Sequence, residues 1–115
     1  MYQYNAVVLN NYDADTLRVN IDLGLGVWAF NQAIRVYGID AYELKTAKGK
    51  LARDRVSALI PAGTKIVINT IKDSKEKYGR YLAKIIIPDG RNLATILVYE
   101  ELAVAYFGGT KTITE

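Results

Sequence analysis

The order of the periodic stretches limits the fold most: three segments with strand periodicity precede the first helical one. Tyr4 to Asn10 leads into a turn at Asp13-Ala14-Asp15, and Thr16-Leu17-Arg18-Val19-Asn20-Ile21-Asp22 then alternates polar and apolar residues. Gly24 and Gly26 mark a second turn. Ala33 to Gly38 resumes the alternation, with Ile34 and Val36 on one face and Arg35 on the other, so Arg35 points away from any core that the two aliphatics enter. Leu51, Ala52, Val56, Leu59 and Ile60 form an apolar stripe near helical spacing, which Pro61 and Gly63 close.

Lys65 to Thr70 reads as the next strand, and a charged loop through Tyr78-Gly79-Arg80 enters a last one from Tyr81 to Pro88. Asp89-Gly90 is a turn. Leu93, Ala94, Leu97 and Val98 predict a second amphipathic helix, Ala103 to Phe107 is short and apolar, and Gly108-Gly109 opens a polar tail. This is not the strand-helix alternation of a parallel sheet. It predicts a mainly β, α+β architecture: one domain over residues 1–115, built as a five-stranded, partly open OB-fold barrel with two helices.

Composition narrows the chemistry more than the fold. The chain has 115 residues and neither cysteine nor histidine. Disulfides, thiolate metal sites, cysteine nucleophiles and the commonest general base are therefore excluded, and any hydrolysis must run on carboxylates, arginines, lysines and tyrosines. No run of about 18 apolar residues is present, so no membrane partner is expected. The start has neither a basic nor an apolar leader segment, which predicts a cytoplasmic location unless an upstream signal was removed. The net charge of +3 is unevenly spread: residues 45–55 carry a local +4, residues 72–91 a local +3, and the remainder is acidic. Segregated basic stretches are the outline of a polyanion binder, although solvated surface lysines give the same pattern.

Singly, the polar positions are ordinary. Turn aspartates such as Asp13 and Asp15 are commonly local hydrogen-bonders, and Arg35 inside an apolar strand could be served by a structural ion pair. Together they are distinctive. Asp-x-Asp-Thr at Asp13 to Thr16, Arg35 followed by Gly38-Ile39-Asp40 and Glu43, and an Asp-x-x-Lys-Tyr-Gly-Arg spelling with one extra residue from Asp73 to Arg80 resemble the staphylococcal nuclease (thermonuclease) family. Leu102-Ala103-Val104-Ala105-Tyr106 adds to the match, and the resemblance runs from about residue 4 to 107.

The resemblance implies a calcium-dependent endonuclease acting on DNA or RNA with low sequence preference, expected to be a monomer. It implies Asp15, Asp40 and the backbone carbonyl of Ala41 as calcium ligands, and Arg35, Glu43 and Arg80 as catalytic residues. Lys77 and Tyr78 would contact the terminal phosphate, and Tyr106 would offer a ring to a base, unless it is only a core or rim tyrosine. The alternatives are a nucleic-acid-binding module without catalysis and a barrel that binds protein. The sequence departs from the family at Ala14, Ala41 and Tyr42, at Glu101 where glycine is common, and in a shortened loop from Leu44 to Lys50. A third, C-terminal helix of the archetype is expected to be missing.

Overall fold

A computed structural model describes residues 2–71, 75 and 77–107. Seven strands and two helices follow in the order β1 (Tyr2–Asn11), β2 (Thr16–Gly24), β3 (Val27–Val36), β4 (Gly38–Ala41), α1 (Ala47–Leu59), β5 (Lys65–Thr70), β6 (Tyr81–Ile86), α2 (Leu93–Tyr99) and β7 (Ala103–Tyr106). Five of the strands close a barrel in the order β1-β2-β3-β6-β5, and β4 pairs with β7 as a separate two-stranded sheet. The expected five-stranded barrel with two helices is the observed architecture. Asp73, the tail from Gly108 and the expected loss of a third helix lie outside the described residues.

Inward positions alternate as the period of two requires. Ala6 and Val8 of β1, Leu17, Val19 and Ile21 of β2, and Ile34 and Val36 of β3 are all buried. Ile66 and Ile68 of β5 and Ala83 and Ile85 of β6 complete the wall, with Ala52 and Val56 of α1 and Leu93 and Leu97 of α2 in the same cluster. The β3–β6 pairing is the barrel's parallel one, matching Ile34 with Tyr81 and Arg35 with Leu82. It delivers the start of β6, and the residue before it, to the end of β3.

Apart from shifts of one or two residues at strand ends, the structure departs from the sequence expectation in three places. The strand expected from Ala33 begins at Val27, because a bulge opposite β2 breaks its alternation: Val19 pairs with Gln32 but Ile21 with Ala29. Helix α1 begins one turn early, at Ala47, because the Thr46 hydroxyl accepts the Gly49 N–H at 3.0 Å as an N-cap. Its buried line is Gly49, Ala52 and Val56, which leaves Leu51 exposed instead of in the expected stripe. Finally, Gly38–Ala41 is a strand, and its partner is the short apolar segment at Ala103.

Helix α2 ends in a Schellman arrangement. The Leu102 N–H donates to the Leu97 carbonyl at 2.8 Å and the Glu101 N–H to the Val98 carbonyl at 3.0 Å. Glu101 sits at the left-handed position with φ 60°, where a Cβ is unfavourable and glycine is preferred. Glu101→Gly is therefore expected to stabilise the protein by about 1 kcal/mol, read as a raised denaturation midpoint with unchanged slope. No gain would mean that the side chain compensates for its backbone.

Candidate phosphate-binding site at the Asp15–Arg35–Asp40 cluster

The site forms where β2 begins and β3 ends, since the antiparallel register sets Thr16 opposite Arg35. The Asp13-Ala14-Asp15 turn comes just before: the Asp15 N–H donates to Asp13 Oδ1 at 3.0 Å, an Asx-type closure. The Asp15 carbonyl accepts from the Val36 N–H at 2.8 Å, tying the turn to the far end of β3. Asp15 is thereby buried at one end of the barrel, one of two buried polar residues among the described ones.

A buried carboxylate needs partners, and Asp15 has four. Arg35 Nη1 lies 3.2 Å from Asp15 Oδ2, the Ala41 N–H donates to the same oxygen at 2.9 Å, and the Thr16 hydroxyl donates to Oδ1 at 3.1 Å. The fourth is the Asp13 carboxyl. Burial alone would raise the Asp15 pKa, but the hydrogen bond from Asp13, the Arg35 charge, the Ala41 N–H and the Thr16 hydroxyl outweigh it and hold the group below its usual range. Asp13 moves the other way. Burial first, then the adjacent Asp15, push it up to about 6.

The two shifts describe a carboxyl pair that loses its first proton from Asp15 and its second, near pH 6, from Asp13. Asp13 binds its proton more tightly in the folded state than in the unfolded one, where the value is about 3.8. Its contribution therefore turns unfavourable as pH rises above about 4, and the penalty is complete above about 6. Asp13→Asn keeps the oxygen that closes the turn and removes the penalty. In chelator at pH 7 the variant is expected to be more stable by about 1 kcal/mol after allowing for solvent screening. The gain should vanish by about pH 4; a gain independent of pH would show that the carboxyl pair is not its source.

Arg35 also donates to the Val36 carbonyl at 3.1 Å, and its other amino group reaches Asp40 Oδ1 at 3.5 Å, a long contact. Asp40 arrives on β4, positioned by its pairing with Val104 of β7. Arg80 stands immediately before β6, and the parallel β3–β6 pairing carries it to the cluster, where Nη1 donates to the Thr16 hydroxyl at 2.9 Å. A single hydroxyl thus links the second guanidinium to Asp15. The exposed Tyr78 ring lies under Lys77 at 5.1 Å and Arg80 at 5.6 Å. Tyr106 and Arg35 line the same cavity of about 190 Å³, with Tyr37, Leu82 and Phe107.

Glu43 is placed differently. Its backbone is tightly held, with the carbonyl accepting from the Thr46 N–H at 3.0 Å and the Thr46 hydroxyl at 2.6 Å. Its side chain, however, is 72% exposed and meets Lys45 at 3.4 Å. The structure therefore joins Asp15, Arg35, Asp40, the Ala41 peptide and Arg80 through hydrogen bonds and ion pairs, and leaves the Glu43 carboxylate directed at a lysine in solvent. Sequence reasoning gave no role to Thr16 or to Asp13 as a proton-holding partner. The Asp-x-Asp-Thr spelling was the available signal for both.

Two carboxylates and a backbone oxygen are hard donors of the kind that calcium accepts, and they fit it. Among the described residues no group of three or more acidic side chains forms a ready cage, so water and substrate oxygens would have to complete the sphere.

Comparison with known proteins points to one family. Over 68 residues, 59% of this chain, the sequence is 34% identical to Endonuclease YhcR of Bacillus subtilis (strain 168), and the match spans only 6% of that protein. The family model described as staphylococcal nuclease homologue matches residues 33–115, which include Arg35, Asp40, Glu43 and Arg80. With most of its length matched, the chain belongs to the staphylococcal nuclease homologue family.

Proposed function

We propose that the chain is a calcium-dependent phosphodiesterase that cuts DNA or RNA internally with low sequence preference. The observation that carries this reading is the Arg35 fork between Asp15 and Asp40, with Arg80 joined to the same cluster through Thr16. Family membership supports nuclease chemistry, and so does the similarity to a protein named as an endonuclease.

A phosphodiester repels an attacking water with two negative oxygens, so the site must neutralise charge and aim the water. Asp15, Asp40 and the Ala41 carbonyl would hold calcium, whose bound form supplies charge neutralisation at a phosphate oxygen. Arg35 and Arg80 each present a planar fork that grips the phosphate and binds more strongly as charge develops on it. Glu43 accepts the proton of the attacking water, and no histidine in the chain competes for that role. To do so it must turn from Lys45 into the cluster. Lys77 and Tyr78 contact the terminal phosphate, and Tyr106 sets its ring against a base beside Arg35.

The test is incubation with plasmid and single-stranded DNA, in calcium and in chelator, beside a Glu43→Ala control. Calcium-dependent cleavage well above the control is expected, and equal activity in the two proteins would overturn the assignment. The Glu43–Lys45 pair favours one competing reading, a nucleic-acid-binding module without turnover. Salt-sensitive binding with no cleavage in calcium would select it.

A further inference from the structure

The β2–β3 hairpin carries a feature that the cluster does not use. Beyond its last rung with β1, Asn5 with Asp22, the hairpin runs on to a two-residue turn at Leu25 and Gly26, both at positive φ. Trp28 and Phe30 stand on the outer side of β3, since Ala29 between them packs on the core. Their rings are 17° from parallel with centroids 6.4 Å apart, and they are 39% and 66% exposed. Side chains of this size normally bury most of their surface.

The bulge at Asn31 is what turns them outward. Counting back from the buried Ile34 in steps of two, an unbroken strand would send Gln32, Phe30 and Trp28 all inward. Asn31 adopts φ 54°, its N–H donates to Asn20 Oδ1 at 2.8 Å, and its carbonyl accepts from Arg18 Nη1 at 3.0 Å. The extra residue reverses the phase and puts both rings on the face that already carries Thr16, Arg18 and Asn20 of β2 and Arg35 of β3. One ribbon face thus runs from the Thr16–Arg35 rung, past Arg18, to the aromatic pair. Because of the bulge, the span from Arg35 to Phe30 matches the four-residue step from Thr16 to Asn20 on β2, about 14 Å at about 3.4 Å per residue.

We propose that this ribbon face is a stacking subsite for single-stranded nucleic acid, with a phosphate at Arg35, Arg18 beside the backbone and bases on Phe30 and Trp28. The proposal rests on the reading that the chain acts on nucleic acid. A cationic end followed by exposed rings matches a strand that offers both phosphates and free base faces, whereas a duplex hides those faces in its own stack. The charge is complementary where the phosphates run, at Arg35, Arg80 and Arg18. Lys65 lines the cavity of about 670 Å³ beside Trp28 together with Asp22, the one carboxylate there, which is engaged by the Gly24 N–H at 2.8 Å.

Trp28 is the only tryptophan, so its emission reports the subsite directly. The full chain is titrated in chelator, where turnover does not interfere, with a thymidine dinucleotide, a thymidine dodecamer, a duplex dodecamer and vesicles of mixed neutral and anionic phospholipid. Strong quenching by the single-stranded dodecamer is expected, with little from the dinucleotide, the duplex or the vesicles. Phe30→Ser should weaken dodecamer affinity about tenfold, and Phe30→Tyr should retain it. In calcium, Phe30→Ser should raise KM on long single strands and leave kcat unchanged.

Quenching that ignores strand length, or dodecamer binding by Phe30→Ser equal to wild type, overturns the proposal. A blue shift with vesicles would instead assign the exposed Leu23, Leu25 and Val27 at the tip to a lipid surface. A blue shift that grows with protein concentration alone would assign the hairpin to a second copy. Cleavage with wild-type binding by Phe30→Ser removes the subsite and leaves the nuclease reading standing; quenching without cleavage in calcium does the reverse.

Discussion

Arg35→Lys is expected to lower the rate of DNA cleavage about a hundredfold or more. The reason is geometric. Arg35 reaches Asp15, Asp40 and the Val36 carbonyl at once, from two different amino groups of one plane. A lysine keeps the charge but is a single point, so it can hold one carboxylate and can no longer present a second donor to the phosphate. Single-turnover cleavage of a labelled oligonucleotide in excess calcium measures the loss, and a change within about threefold would remove Arg35 from the transition state.

Arg35→Ala should add a stability defect. The Arg35 and Asp15 side chains are only 14% and 8% exposed, so deleting the guanidinium strands a charged group that the Ala41 N–H and Thr16 hydroxyl serve only in part. About 3 kcal/mol is expected near neutral pH in chelator. The pH dependence identifies the cause. The native environment depresses the Asp15 pKa, so the stability it confers is present above the unfolded value near 3.8 and is lost as pH falls through the lower folded value. The alanine variant should therefore lose much less stability on acidification than the wild type.

The sequence made these charged residues legible because their spelling is local. Asp-x-Asp-Thr closes a hairpin turn, and the step from Arg35 to Asp40 spans one strand end and the beginning of the next. What brings Arg80 to Thr16 is the parallel β3–β6 pairing, a contact between residues 64 positions apart that no local pattern encodes. The β4–β7 sheet escaped for a different reason: each strand has four residues, too few to display a period, and β4 opens on a glycine. The bulge at Asn31 hid the first half of β3 by reversing the alternation that defines a strand in sequence. Glu43 was legible as a residue but not as a rotamer, and its side chain is where expectation and structure stand furthest apart.

That separation makes the backbone under Glu43 decisive, and Gly49→Ala is expected to disturb it severely. Gly49 is buried in the first turn of α1, directly against the loop that carries Glu43. A Cβ there would lie 2.6 Å from the Glu43 carbonyl carbon and 2.9 Å from the Tyr42 oxygen, and closer still to the Glu43 oxygen. These are backbone atoms, so no side-chain rotation relieves the overlap. Either the helix start or the Tyr42–Glu43 segment must move, which would break the Thr46 cap that binds the Glu43 carbonyl on one side and the Gly49 N–H on the other. Overpacking of this kind costs about 1–3 kcal/mol. The kinetic signature should separate position from fold. Arg35 and Arg80 are held from β3 and β6, so oligonucleotide affinity in chelator should stay within about twofold of wild type. Turnover in calcium should fall about a hundredfold, the scale of a lost general base. Full activity in a correctly folded Gly49→Ala variant would mean that the position of the Glu43 backbone does not matter to the reaction.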